Sequence, residues 1–424
     1  ALPIWRLSPR ATRAPAVAAD MSRLDPQPWM TSPAARRVMD ALNGARPDCA
    51  RFVGGCVRNA LLGEPVADID IATQLVPELV QKVMIAAKIA VHPTGIEHGT
   101  LTVVADHHPF EVTSLRQDVE TDGRRAVVAF TDDWALDAQR RDFRMNALYA
   151  NSNGDVFDPT GGGLDDIANR RIVFVGDPET RIREDYLRIL RFFRFQAWYG
   201  RSMIDIPGLE ACAQLREGLT GISAERIWTE TYKLMGAPQP LTALRAMEDS
   251  GVLQELFPQA KGLGLPSKVV GLEMREGLKP DPMIRFLALF WKEADAVHAI
   301  ANRLKMSNDE RHRLNWAVKD ETPLWGGVTE HEVRAALYRA GEQVVHDRIV
   351  LEWASDGSPD WLAVYKQAKA WTRPVMPVTG ADLLTLGVIE GPAIGQMLRR
   401  MEDAWIESDF TLGRDQLIAQ VMNG

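Results

Sequence analysis

Cysteine is scarce in this chain, which has three cysteines in 424 residues: Cys49, Cys56 and Cys212. They show no paired spacing, whereas a disulfide framework or a structural zinc site needs cysteines at short, regular separations. The sequence therefore argues against both kinds of site and favours a reducing compartment, with the cytoplasm as the expected location.

Long apolar runs and an excess of positive charge are also missing. No run reaches the roughly 18 apolar residues typical of a membrane span, so no membrane partner is expected. The 49 Lys and Arg residues and 57 Asp and Glu residues give a net charge of −8. This balance argues against a protein coated in nucleic acid but permits a local basic groove. The composition is that of a globular protein, and a chain of this length is expected to form two to four domains. The sequence shows no feature that indicates a protein partner.

The first twenty residues differ from the rest of the chain. They contain Arg6, Arg10 and Arg13 and no acidic residue before Asp20, which Met21 follows. A basic, acid-poor leader is typical of an organellar transit peptide. The alternative is an upstream extension with Met21 as the working start. We expect residues 1–33 to be an extension outside the fold.

Two structural patterns follow one another along the chain. Strand-like segments rich in Val, Ile and Thr occur at 51–53, 69–72, 100–105 and 110–114, with a helix predicted over 77–90. Beyond residue 164, helical periodicity dominates. The sequence therefore predicts an α+β fold with a mixed-sheet head at 34–163. An all-helical neck at 164–236 and a helical body and tail at 237–424 are expected to follow.

Two aspartates in the segment VADIDIAT carry the first chemical signal. Residues two apart in a strand project to one face, so Asp68 and Asp70 would point together. Adjacent carboxylates repel each other unless a cation lies between them. Oxygen ligands near phosphates suit Mg²⁺, and two ions are expected here. Glu111, in the apolar stretch PFEVTSL, is a candidate third carboxylate; an exposed strand residue is the alternative.

Glycines precede this pair of aspartates. Gly54 and Gly55 let a phosphate approach the backbone, and the N-terminus of the following helix favours negative charge. Arg58 follows in that helix. Glycines, an arginine and then Asp-x-Asp together indicate metal-dependent nucleotidyl transfer.

The segment RRDFRMNAL, residues 140–148, supplies further candidates. Arg141 can clamp a phosphate with two hydrogen bonds, and Asp142 and Asn146 can bond ribose hydroxyls. A charged connection between a strand and a helix is the alternative interpretation.

A helix is predicted over residues 182–198, IREDYLRILRFFRFQAW. At about 100° per residue, one broad polar arc would carry Asp185, Arg188, Arg191 and Arg194. Such arcs are usually solvated faces, but the excess of arginine indicates binding of triphosphate or RNA. Cytosine and adenine each offer an amino donor beside a ring acceptor. One carboxylate and one guanidinium, from Asp185 and Arg188, match both bases.

These motifs resemble the class II tRNA nucleotidyltransferase and bacterial poly(A) polymerase family, and most closely its CCA-adding enzymes. They are VGGCVRNALLG with DID, RRDFRMNAL, DPTGGGLDD, REDYLRILRFFRF and ISAERIWTE. In this chain Asn59 replaces the aspartate usual in the family, and Arg144 stands where threonine is common.

The resemblance implies roles for individual residues. Asp68 and Asp70 would bind the catalytic metals, and Asp142 would help to choose ribose over deoxyribose. Asp185 with Arg188 would read the base. Nucleotide contacts would also come from Gly55, Arg58, Arg141, Arg191 and Arg194. Residues 158–161 would form a hinge between head and neck.

The expected function is template-independent addition of C, C and A to the tRNA 3′ end from CTP and ATP. A poly(A) polymerase or an enzyme that adds only CC or only A is the alternative, and a non-catalytic RNA-binding module is a more distant one. The segment 116–134 resembles a loop that assists the change from C to A in the family, which favours full CCA addition.

Overall fold

The structure is a computed structural model that describes residues 21–95, 99–122, 125–201, 203–388 and 391–422. The chain divides into two compact units. The first comprises residues up to Ile222 together with Ala246–Leu256, and the second comprises Ser223–Arg245 with Phe257–Gly424. The predicted head and the first part of the predicted neck lie in the first unit.

Regular elements cover most of the described residues. The strands are β1 (Ala50–Val53), β2 (Asp70–Thr73), β3 (Ala90–Gly95), β4 (Thr100–Ala105), β5 (His108–Ser114), β6 (Arg116–Asp122), β7 (Arg125–Phe130), β8 (Tyr149–Ala150) and β9 (Val156–Phe157). The helices up to residue 256 are α1 (Pro28–Thr31), α2 (Pro33–Ala45), α3 (Gly55–Leu62), α4 (Pro77–Ala86), α5 (Trp134–Gln139), α6 (Gly163–Asn169), α7 (Pro178–Glu184), α8 (Leu187–Tyr199), α9 (Ile206–Gln214), α10 (Ala224–Met235), α11 (Pro240–Asp249) and α12 (Val252–Leu256). The later helices are α13 (Gly264–Glu276), α14 (Pro282–Leu287), α15 (Ala294–Arg303), α16 (Asn308–Lys319), α17 (Glu330–Ala340), α18 (Glu342–Asp356), α19 (Trp361–Ala370), α20 (Gly380–Thr385), α21 (Pro392–Glu407) and α22 (Arg414–Met422). Short 3₁₀ turns lie at Arg144–Asn146, Arg216–Gly221 and Ala288–Phe290.

The first unit is built on a seven-stranded mixed sheet in the order β3-β4-β5-β2-β1-β8-β9. Only the β2–β5 pair is parallel in this sheet; its other described pairs are antiparallel. Strands β6 and β7 form a separate two-stranded sheet. A mixed sheet followed by helices confirms the predicted α+β fold class.

Local sequence explains the strands on either side of the hairpin turn. Strand β4 has the predicted limits, and its side chains alternate between half-buried and buried, as expected for one face on a core. The turn to β5 consists of Asp106 and His107, both with positive φ. Two residues of that conformation match the twist of a tight hairpin. Strand β5 begins at His108, two residues before the predicted start.

Residues 21–33, which were expected to belong to the extension, pack against the head. Leu24 and Met30 are buried, and the backbone amide of Val156 donates to the carbonyl of Ser22 at 2.7 Å. The packed chain therefore starts before residue 34. Residues 1–20, and with them the proposed transit peptide, lie outside the described residues.

An aromatic cluster joins helix α8 to the segment 140–148. Phe143, from the segment 140–148, lies 4.9 Å from Phe174 and 5.0 Å from Phe195 of α8, measured between ring centroids. Phe174 and Phe192 stack at 5.5 Å, and all four rings are buried. Helix α8 therefore shares one core with the segment 140–148.

The second unit consists of helices around its own cores. Buried ion pairs reinforce it: Arg285 with Glu273 of α13, and Arg313 of α16 with Asp347 of α18. Within the described ranges, no helix has the length and apolar character needed to cross a bilayer.

Candidate active site

Two carboxylates face each other on the central strands. Asp70 opens β2 and is in register with Glu111 of the parallel strand β5, so both lie on one face of the sheet. Asp68 is exposed and precedes the strand. The predicted strand began at Ile69; in the structure the strand begins one residue later, at Asp70, although the carbonyl of Ile69 still accepts from the amide of Glu111 at 3.3 Å.

The electrostatics at Asp70 fit a cation. Burial and the charges of Glu111 and Asp68 raise its pKa to about 6, although Arg141 and Arg58 act in the opposite sense. Crowded carboxylates of this kind suit a hard divalent ion. Across the described residues, no three acidic, histidine or cysteine side chains are grouped closely enough to hold a metal. Glu111 therefore faces Asp70 without completing a three-carboxylate group.

The glycine turn follows β1. Gly54 has a φ of +69°, a conformation that favours glycine, and Gly55 begins α3. A Cβ atom placed on Gly54 would lie 3.7 Å from the carbonyl oxygen of Asn146 and 3.8 Å from Nη1 of Arg141. The turn thus lies directly against the segment 140–148, where the other candidate phosphate and ribose ligands are found.

Arg58 is buried, with 7% of its surface exposed. It donates to Oδ1 of Asn146 at 2.6 Å, to Oδ1 of Asn59 at 2.8 Å and to the Tyr199 hydroxyl at 2.8 Å. Its guanidinium also lies 4.1 Å from the ring centroid of Tyr199. Arg58 therefore braces α3 against the segment 140–148 and α8 in this structure.

Asp142 continues this network. Its Oδ1 accepts from the backbone amide of Phe143 at 2.8 Å and from Nδ2 of Asn146 at 2.9 Å, and its Oδ2 accepts from Nε of Arg191 at 2.8 Å. Burial raises the pKa of Asp142, but Arg191 and the hydrogen bonds outweigh burial and bring it to about 2. A continuous chain of hydrogen bonds thus runs from Arg58 through Asn146 and Asp142 to Arg191.

A second network surrounds Asp137, a residue that the sequence motifs did not single out. Its Oδ2 accepts from Nη2 of Arg141 and from the hydroxyl of Tyr149, at 2.8 and 2.7 Å. Its Oδ1 accepts from Nε of Arg140 at 2.8 Å. The spacing of four residues between Asp137 and Arg141 is the signal that could have indicated this pair.

The predicted base-reading helix is broken. Asp185 ends α7 with an extended backbone, and its side chain accepts from the amide of Leu187 at 3.1 Å. The prediction of one helix over 182–198 is therefore wrong, because an aspartate side chain competes for backbone amides and ends helices. Asp185 does not share a helical arc with Arg188.

Arg188 is held by three acceptors. It donates to the carbonyls of Arg181 at 2.7 Å and Arg140 at 3.2 Å, and it pairs with Glu184. Glu184 was missed as well, although it stands four residues before Arg188. Arg194 stays on α8, with its guanidinium 4.4 Å from the ring centroid of Phe195.

The structure thus brings most of the predicted residues together within the first unit. Hydrogen bonds or close approach connect Gly54, Arg58, Arg141, Asp142, Asn146 and Arg191, and Arg188 donates to the carbonyl of Arg140, the neighbour of Arg141 in the chain. Asp70 and Glu111 are adjacent to each other, and Asp70 is within electrostatic reach of Arg141 and Arg58. Asp68 stands outside the hydrogen-bond networks of Asp137 and Asp142.

Comparisons with known proteins agree on one family. The profile described as "Poly A polymerase head domain" matches residues 50–173. The profile described as "Probable RNA and SrmB- binding site of polymerase A" matches residues 204–263. The chain is 35% identical over 386 residues to "CCA tRNA nucleotidyltransferase 1, mitochondrial" of Danio rerio, covering 87% of this chain and 86% of that protein. It is 30% identical to the "CCA-adding enzyme" of Levilactobacillus brevis, covering 91% and 96%.

Solved structures are similar as well. The Bacillus stearothermophilus CCA-adding enzyme in complex with CTP superposes with a TM-score of 0.73 at 25% identity, covering 92% of this chain and 96% of that one. The Thermotoga maritima CCA-adding enzyme complexed with tRNA gives a TM-score of 0.64 at 18% identity, covering 91% of this chain and 94% of that one. At this level of identity the comparison shows a similar fold.

Proposed function

The chain belongs to the family of CCA-adding tRNA nucleotidyltransferases, and we propose that it adds C, C and A to the 3′ end of tRNA. CTP and ATP are the substrates, and no nucleic-acid template is used. One observation carries the proposal: the glycine turn after β1 lies against Arg141 and Asn146, and hydrogen bonds continue from Asn146 through Asp142 to Arg191 of α8.

The reaction is an in-line displacement at the α-phosphate. The tRNA 3′-hydroxyl oxygen forms a bond to the α-phosphorus and its proton is released, while the bond from the α-phosphorus to the oxygen bridging to the β-phosphate breaks and pyrophosphate leaves. Nucleotidyltransferases of this family generally use divalent metal ions. We assign two Mg²⁺ ions to Asp68 and Asp70; when bound, they supply stabilisation of the charge that develops on the phosphate oxygens. The raised pKa of Asp70 supports this assignment.

The residues of the chain itself bind and orient the nucleotide. Gly54 and Gly55 leave the backbone open to the triphosphate at the start of α3, and Arg141 extends its Nη1 atom toward the same turn. Asp142 and Asn146 lie beside it for the ribose hydroxyls. Because these groups are already hydrogen-bonded, little reorganisation is needed when the nucleotide binds.

Base selection falls to Asp185 and Arg188. A carboxylate acceptor and a guanidinium donor match the edges of cytosine and adenine and mismatch those of guanine and uracil. Glu184 and the carbonyl of Arg140 fix the Arg188 guanidinium, which supports a role in reading a base rather than neutralising phosphate.

The helical second unit binds tRNA by shape and phosphate contacts, since duplex RNA is poorly read by sequence. The expected location is the cytoplasm, with an organelle as the alternative if residues 1–20 act as a transit peptide. The names of the Danio rerio and human relatives include "mitochondrial".

The test is incubation of tRNA lacking its CCA end with Mg²⁺ and single or mixed nucleotides, followed by sequencing of the products. CTP with ATP is expected to give CCA ends, and CTP alone CC ends. Long A tracts from ATP would instead identify a poly(A) polymerase. Asp68→Ala and Asp70→Ala proteins should not incorporate nucleotides. Full activity in either purified variant would refute the metal-ligand assignment.

A further inference from the structure

We propose that Asp137 is a positioning residue which, with Tyr149, holds the guanidinium of Arg141 so that its free edge faces the triphosphate. The inference rests on the proposed function, because it takes Arg141 as a nucleotide ligand. Asp137 itself would not touch the nucleotide.

The donors of Arg141 are divided between two sides. Nε and Nη2 donate to Oδ2 of Asp137 at 3.2 and 2.8 Å, and Nε also donates to the Tyr149 hydroxyl at 3.2 Å. Nη1 makes no hydrogen bond to any described residue and is the atom that approaches Gly54. One side of the guanidinium is therefore anchored, and the other is available at the glycine turn.

Asp137 is too enclosed to be a ligand in its own right. Its side chain is 1% exposed. Its oxygens accept from Arg140, Arg141, Tyr149 and the backbone amide of Arg116. Burial raises the pKa of Asp137, but Arg141, Arg140 and the Tyr149 hydroxyl outweigh burial and bring it to about 2. The carboxylate is thus ionised at neutral pH.

The anchor has a physical purpose. Arg140 and Arg141 are adjacent cations, and without a common anion they would repel each other and sample many rotamers. Binding a triphosphate would then require ordering the Arg141 side chain, which weakens affinity. The buried carboxylate of Asp137, which lies between the two arginines, orders the Arg141 side chain before the nucleotide binds. The entropy of ordering that side chain is then not lost on binding.

A double-mutant cycle tests this role through equilibrium binding of CTP and CMP to the full chain without tRNA. Asp137→Asn is expected to weaken CTP binding about tenfold and CMP binding much less, because the proposal places Arg141 against phosphates that CMP lacks. In an Arg141→Ala background, Asp137→Asn should have little further effect on CTP binding. Tyr149→Phe, which removes one hydroxyl from the core, should show the same dependence on Arg141 with a smaller effect.

Asp347→Asn is the matched control, since Asp347 is equally buried and accepts two hydrogen bonds from Arg313 in the second unit. It should lower stability without changing CTP binding. Unchanged or tighter CTP binding in Asp137→Asn, or equal losses with and without Arg141, would overturn the positioning role. Absence of CTP binding by the wild-type protein would instead refute the proposed function.

Discussion

Asp70 is predicted to destabilise the metal-free protein. Its pKa of about 6, against an ordinary value of 3.8, results first from burial and then from the charge of Glu111. That difference corresponds to about 3 kcal/mol. Because the side chain is partly exposed, solvent screening reduces the expected cost to about 1–2 kcal/mol.

The pH dependence follows from the direction of this change. A carboxyl group whose pKa is raised by folding contributes its stability below the unfolded pKa, and that contribution is lost as the pH rises through the folded value. For Asp70, this stabilising contribution is lost between about pH 4 and about pH 6. The destabilisation caused by the ionised Asp70 carboxylate is therefore fully present at pH 7.5.

The perturbation is Asp70→Asn, which keeps the shape of the side chain and removes its charge. In the presence of a chelator at pH 7.5, we expect the melting temperature to rise by roughly 2–8 °C. The gain should vanish near pH 4. Mg²⁺ should stabilise the wild-type protein more than the variant, because the ion binds the native carboxylates. Differential scanning fluorimetry across this pH range measures all three effects.

Asp68→Asn is the matched control, because Asp68 is exposed and precedes the strand. The charge of Asp68 contributes less than that of Glu111 to the raised pKa of Asp70, so Asp68→Asn should raise the metal-free melting temperature less than Asp70→Asn does, while still abolishing nucleotide incorporation. If Asp70→Asn melted at or below the wild-type temperature at pH 7.5, the argument from crowded carboxylates would be refuted.

Substitutions at three other contacts should also have measurable effects. Glu184→Gln removes the anion paired with Arg188 and should reduce discrimination of CTP and ATP against UTP and GTP; unchanged misincorporation would contradict its supporting role. Gly54→Ala should cost about 1–3 kcal/mol in unfolding free energy, because its φ of 69° and ψ of −120° lie in a region that residues with a Cβ rarely adopt; a circular dichroism melt matching the wild type would contradict this strain argument. Asp347→Ala removes two hydrogen bonds from Arg313, which keeps its ion pair with Asp281, and should destabilise the second unit by about 1.5–3 kcal/mol; denaturant unfolding followed by tryptophan fluorescence measures it, and a loss below about 1 kcal/mol would contradict this reasoning.

The fold class and several strands could be predicted because their signals are local. Alternation in β4 and the polar turn at Asp106 and His107 depend on neighbours in the chain. The break at Asp185 was missed because the apolar periodicity continues through it. The end of helix α7 depends on the hydrogen bond that the Asp185 side chain accepts, and hydrophobic periodicity carries no information about such a bond.

The residues of the candidate site could likewise be predicted where their signal is local, and their distant partners could not. Gly54, Asp70 and Arg141 stand in short motifs whose chemistry can be read from residue types. Their partners Asp137, Tyr149 and Tyr199 were not found. The hydroxyl of Tyr199 reaches Arg58 across 141 positions in the sequence, and only the packing of α8 against the segment 140–148 brings them together.

The shared aromatic core limits how this enzyme can be cut into fragments. A fragment spanning only residues 50–173 would end before Phe174 and lose Phe192 and Phe195, leaving Phe143 uncovered. Exposed rings of that size promote aggregation. An isolated catalytic fragment should therefore extend to residue 199 or beyond, so that it contains helix α8 as well as the sheet.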